Sequence, residues 1–200
     1  MKALASSLCS LALLALPTLA ADKTEFTDKG KAHFEGPVAM GVHLRMHVRS
    51  GDIRIVGGDG PLLSVDLLGK KANEIDDVKY RLINRGDSSE FSLSGGPKND
   101  LIVTIHIPRN VELYVRVLAG DLTIEGVTGS KDIELHFGDL TIEAGNPADY
   151  SHVEASVNAG DISAAPFGEE HGGLFRSFHK SGPGKYRLYA HVGAGDLTLK

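Results

Sequence analysis

The sequence predicts an all-β fold, and three observations carry that expectation. A Gly-Asp pair followed by alternating apolar residues recurs at five places. The chain between the copies breaks into short alternating runs bounded by Gly, Asn, Asp and Pro. No segment carries an apolar stripe of 3.6-residue period long enough for a stable helix; Asn73 to Val78 is the best fragment, and it is short.

The N-terminus reads as a cleavable secretory signal over residues 1–20. Met1 and Lys2 give a positive start, Leu4 to Leu16 an apolar run, and Pro17-Thr18-Leu19-Ala20 a small-residue exit, with Ala21 as the alternative cleavage position. The apolar run is about 13 residues, short of the roughly 20 that cross a bilayer. Cys9 follows Leu8 where a lipid-attachment signal wants a small residue, so it is expected to leave with the leader. The remaining chain then has no thiol for a disulfide or a Cys-based zinc site. Residues 21–41 form an N-terminal segment, and 42–200 a single β-strand-repeat domain. The protein is expected to be exported, periplasmic or secreted, with no membrane span.

The chain carries 26 acidic and 21 basic residues, a net charge of −5, and loss of Lys2 with the leader takes this to −6. Such a balance disfavours nucleic acid as a partner and docking on anionic lipid.

The five copies are Ser50-Gly51-Asp52-Ile53-Arg54-Ile55, Gly120-Asp121-Leu122-Thr123-Ile124-Glu125, Gly138-Asp139-Leu140-Thr141-Ile142-Glu143, Gly160-Asp161-Ile162-Ser163-Ala164 and Gly195-Asp196-Leu197-Thr198-Leu199. Leu122 and Ile124, Leu140 and Ile142, and Leu197 and Leu199 fall on one face of a strand, with Thr123, Thr141 and Thr198 opposite. Gly supplies the positive φ of a sharp corner, and Asp can fold its carboxylate onto backbone N–H groups there. Asp121 and Asp139 are 18 residues apart, enough for one strand-turn-strand-turn rung. The next interval is 22 residues, with Gly145 to Asp149 as an inserted loop, and the last is 35, with Gly168 to Gly184 as a longer excursion containing Leu174, Phe175 and Phe178. Between Asp52 and Asp121 no copy occurs, but Leu62 to Leu68, Val78 to Ile83, Glu90 to Leu93 and Leu101 to Ile107 read as strands, and Asn84 to Ser88 as a hairpin tip.

The phrase Ile107-Pro108-Arg109-Asn110-Val111-Glu112-Leu113, continued by Val115 to Ile124, resembles the bacterial adhesin-like β-strand-repeat family, a domain of unknown function. There a strand ending in Ile-Pro leads into repeated Gly-Asp-apolar-x-apolar units, and Tyr186 to Leu199 is similar to the closing copy. The likeness spans roughly Val42 to Lys200. It implies a right-handed β-solenoid-like stack of short strands with Gly-Asp turns and an exported location, and it carries no catalytic residues. Only the copies at Asp121 and Asp139 are tightly spaced, so a compact two-sheet β-sandwich is the alternative.

Nucleophile elbows, phosphate loops, dinucleotide fingerprints and zinc-protease helices are absent from the sequence. His43 and His47 lie on a strand pattern, where about 3.3 Å per residue puts them roughly 13 Å apart, too far to share an ion. If Asp121 stacks over Asp139, the two carboxylates approach to about 4.8 Å and must bond backbone N–H groups, stay hydrated or share a cation such as calcium. Turn capping is the simpler reading, and the pair Asp121 and Asp139 is kept only as a candidate cation site. Glu169-Glu170 and Asp76-Asp77 are the adjacent acidic pairs a glycan-processing enzyme would need, but both sit in loop contexts. Arg85-Gly86-Asp87-Ser88 spells a cell-adhesion tripeptide that turn chemistry explains equally well. No enzyme activity and no cofactor are expected. Two functions remain: a structural or scaffold module of the cell envelope that holds a partner or itself by edge pairing, and a surface-exposed or secreted adhesin-like binding module contacting an unknown protein or surface ligand through Gly168 to Gly184. A glycan-active enzyme stands third.

Overall fold

The computed structural model describes residues 23–69, 72–97 and 101–200; the leader expected at 1–20 lies outside the described residues. The strands are β1 Lys23–Lys29, β2 His33–Pro37, β3 His43–Ser50, β4 Asp52–Gly58, β5 Leu62–Leu68, β6 Lys79–Arg85, β7 Ser88–Ser94, β8 Ile102–Pro108, β9 Glu112–Ala119, β10 Leu122–Glu125, β11 Lys131–Phe137, β12 Leu140–Ile142, β13 Tyr150–Ala164, β14 Glu169–Ser181, β15 Tyr186–Ala194 and β16 Leu197–Leu199.

Each Gly-Asp copy is the corner of an L-shaped rung. The corners join β3 to β4, β9 to β10, β11 to β12 and β15 to β16, and the fourth copy bends β13 in its middle. First arms stack in parallel in the order β3, β9, β11, β15, β13, and second arms in the order β4, β10, β12, β16, β13. The last copy in sequence therefore slots between the third and the fourth. A sixth rung without the motif, β7 and β8, lies parallel to β3 and β4.

Antiparallel strands close both ends. β6 and then β1 lie beyond β7, β5 and then β2 lie beyond β8, and β14 runs along both halves of β13. The result is the all-β, solenoid-like stack expected. Residues 23–41 supply the edge strands β1 and β2 of the same sheet.

Alternation decides what goes inside. Val103, Ile53, Leu122, Leu140, Leu197 and Ile162 occupy one cross-strand row, and every member is buried. The inner residues of both arms join one apolar cluster. Thr123, Thr141 and Thr198 form a half-buried row on the other face.

The corners explain the motif. Gly195 has φ +136, and a methyl group there would run into the carbonyl oxygen of Gly138. Gly138 meets Gly120 in the same way, and Gly120 meets Gly51. Backbone therefore packs on backbone at each corner, a contact that excludes any Cβ. The aspartates tie the same corners together. The Asp139 N–H donates to Asp121 Oδ1 at 3.1 Å, Asp196 N–H to Asp139 Oδ1 at 2.9 Å, and Asp161 N–H to Asp196 Oδ1 at 2.9 Å. Gly173 N–H, on β14, closes the series on Asp161 Oδ1 at 3.2 Å.

Two sequence expectations change. Gly168 to Gly184, read as an excursion, is largely the strand β14. Apart from Phe178 its described side chains are exposed or half-buried, so it has no buried face to impose an alternating pattern. The fragment Asn73 to Val78 shrinks to one 3-10 turn at Ala72–Ile75.

Replacing Gly195 by Ala adds a clash on top of an unfavourable φ, whereas Gly145, φ +74, has open space around it. Urea denaturation should show Gly195→Ala losing about 3 kcal/mol or more and Gly145→Ala about 1 kcal/mol.

Candidate functional site

The inner faces are spent on the core, so chemistry that meets solvent must sit on the outer faces. On the first-arm sheet the parallel register aligns Arg45, Tyr114, Asp132, Tyr189 and Glu154 in one row. Beside it runs the row His47, Arg116, Glu134, His191 and Ser156. Sequence spacing cannot reveal these rows, because each member comes from a different rung and β15 is inserted out of order.

Arg116 organises the centre. Its guanidinium carbon lies 3.6 Å from the Tyr114 ring centroid, and its nitrogens reach Asp132 at 2.9 Å and Glu134 at 2.7 Å. Arg45 covers Tyr114 from farther away, at 5.2 Å. A groove of about 480 Å³ opens beside this cluster. The short Ser130 side chain lies in its wall, accepting the Arg187 N–H at 3.2 Å. The carboxylates of the groove are already engaged: Glu112 meets His43 at 2.8 Å and Asp132 meets Arg116. Its cations Arg45, Lys185 and Arg187 have no ion-pair partner among the described residues, and Lys185 lies 4.6 Å from the Tyr186 ring. On an acidic protein this is a locally cationic groove with aromatic walls.

Lys131 stands apart as the buried charged side chain among the described residues, 2 % exposed. It takes an inner-face position between Leu113 and Leu188. Its Nζ donates to Tyr150 Oη at 3.1 Å and more distantly to the Gly129 carbonyl at 3.4 Å. Tyr150 Oη in turn donates a hydrogen bond to the Ala144 carbonyl at 2.7 Å, and the Glu143 carboxylate accepts the Gly126 N–H at 2.8 Å. The amine thus pins the turns before β11 and β13. Burial pulls Lys131 down to about 8, opposed by the nearby Glu143 charge, and pushes the Tyr150 phenol up to about 12.

The histidines are united in part. His43 and His47 are exposed on the outer face of β3. His152 and His179 meet across β13 and β14, with Nδ1 and Nε2 3.1 Å apart, so one ring donates to the other. The His152 ring also packs 5.1 Å from that of Tyr189.

Of the other candidates, Asp121 does stack beside Asp139, through the Leu122–Leu140 pairing, and its carboxylate is bonded to the Asp139 amide. Among the described residues no group of three or more His, Cys, Asp or Glu is placed to hold a metal ion. Asp77 pairs with Lys29 at 3.0 Å, and Glu169 and Glu170 begin β14. Arg85, Gly86 and Asp87 form the β6–β7 hairpin tip, where Arg85 reaches Glu90 at 3.4 Å and the Asp87 carbonyl accepts the His43 N–H.

No family model and no curated protein matches this sequence. Among solved structures it is similar to that of a "putative cell adhesion protein" from Clostridium sporogenes, with a TM-score of 0.51 and 12 % identity over 90 % of this chain and 99 % of that one. At that identity the likeness is one of fold.

Lys131 also gives a pH signature. Its folded pKa of about 8 lies below the ordinary lysine value of 10.5, so its charged form costs stability below pH 8, and the cost fades as pH rises from 8 toward 10.5. That cost is on the order of 3 kcal/mol. Lys131→Met should be more stable than the parent at pH 7, by about 1–3 kcal/mol in urea denaturation, with the difference shrinking by pH 10.

Proposed function

We propose that this protein is an exported, non-enzymatic binding module of the adhesin-like kind, which presents the outer face of its first-arm sheet to an anionic partner. The observation that carries this reading is the groove whose carboxylates are engaged while Arg45, Lys185 and Arg187 are left without carboxylate partners among the described residues. An unpaired guanidinium forms charge-assisted hydrogen bonds with a carboxylate, and Tyr114 and Tyr189 offer flat apolar surface beside it. The clostridial neighbour's description and the leader-like first 20 residues support the same reading. A rigid stack suits such a task, because all of the groove residues but Ser130 and Lys185 come from strands and need no ordering on contact.

Polygalacturonate, a carboxylate polysaccharide, is a suitable probe, with neutral dextran as its control. The protein should bind the former and not the latter. Joint replacement of Lys185 and Arg187 by Ala should weaken that binding about tenfold or more, each lost charge-assisted bond being worth roughly 1.5–3 kcal/mol before solvent screening. Equal retention on both polymers, or indifference to the double replacement, would remove the groove from the proposal.

A further inference from the structure

The two ends of the stack are finished differently. At one end the outermost strands are protected: β1 carries Lys23, Glu25 and Lys29 on its exposed face, and β2 has only five residues and ends in Pro37. Short length, charge and proline all discourage further strand pairing. At the other end β14 hydrogen-bonds β13 along one side and, among the described residues, no strand along the other. That leaves an open edge of 13 residues without proline.

β14 also changes character along its length. Glu169 and Glu170 open it, and Arg176, His179 and Lys180 follow in its second half. Its middle holds Leu174 and Phe175, exposed to 65 % and 80 %. Phe175 has φ +54, the only positive φ at a non-glycine residue among those described, so a bulky side chain is held outward at a conformational cost. A strand acidic at its start, apolar in its middle and basic at its end is complementary to itself in one direction alone. Antiparallel pairing sets each acidic end against the partner's basic half and brings the apolar centres together, whereas parallel pairing in register sets like charges side by side.

We propose that a second copy of this chain adds its β14 antiparallel to this edge, making a two-fold dimer in which both stacks end on one shared sheet. The two-fold arrangement closes on itself, so the open edge yields a dimer and not a fibre. The Arg176 guanidinium bonds the Gly172 carbonyl at 2.8 Å and Lys180 bonds the Phe167 carbonyl at 2.5 Å; neither has a carboxylate partner among the described residues, which leaves both cations available to the acidic end of a partner strand.

With the Phe175 centres opposed, Glu170 faces Lys180 of the partner strand. Sedimentation velocity of the purified protein at about 50 µM provides the readout, with two charge reversals, Glu170→Lys and Lys180→Glu, as probes. The parent sediments as a dimer and each reversal alone as a monomer. An equimolar mixture of the two variants restores a dimer, because each chain now supplies the charge that the other lacks. Circular dichroism identical to the parent's separates loss of pairing from loss of fold. A monomeric parent overturns the proposal, as does a dimer that survives both reversals, or variants that stay monomeric when mixed. A parent that is monomeric alone but captures a synthetic strand of unrelated sequence on β14 overturns it too, assigning the edge to a foreign partner.

Discussion

Backbone packed against backbone at the Gly-Asp corners is the contact on which the rest of the structure depends. Parallel strands stack at about 4.8 Å, and a chain that turns sharply at every rung must bring successive corners to nearly that spacing. With Gly195 over Gly138, Gly138 over Gly120 and Gly120 over Gly51, no side chain stands between them. The adjacent aspartate then uses its carboxylate to accept the next corner's amide. Glycine permits the approach, and aspartate satisfies a donor that the turn would otherwise leave to solvent.

This corner divides labour between the two faces of each arm. The apolar residues that follow Asp at odd steps are driven into one core, so register is fixed for every rung at once; a slip of one residue would expose all of them. The opposite faces are released from packing duty. Tyr114 and Arg116 on β9, Asp132 on β11 and Tyr189 on β15 can therefore come from three rungs and still form one surface, held at strand spacing by the ladder beneath. Lys131 is the exception, a cation on the inner face, retained where Tyr150 and the Gly129 carbonyl can receive it.

The fold was legible because the alternation after each Gly-Asp pair is strong: Leu122 and Ile124, or Leu140 and Ile142, allow one assignment of inside and outside. The pairing of Asp121 with Asp139 followed from their 18-residue spacing. Stack order was not legible, since nothing in Leu197-Thr198-Leu199 tells which of several equivalent apolar rows it will join. The identity of β14 was hidden for a related reason: an end strand with one neighbour and mostly exposed side chains carries no periodic signal. The groove was invisible because Arg45 is far in sequence from Lys185 and Arg187 and is gathered with them only by that order. His152 and His179 met through the same unreadable strand.

Amide hydrogen exchange at the corners tests the central claim most directly. Corner amides in an ordinary exposed turn exchange at the rate of an open loop. If the aspartate ladder holds the stack, the amides of Asp139, Asp161 and Asp196 open only with the core and exchange as slowly as those of Leu122 and Leu140. Fast exchange at those three positions beside slow exchange at Leu122 and Leu140 would contradict the account, leaving the rungs held by strand pairing and apolar burial without the corners.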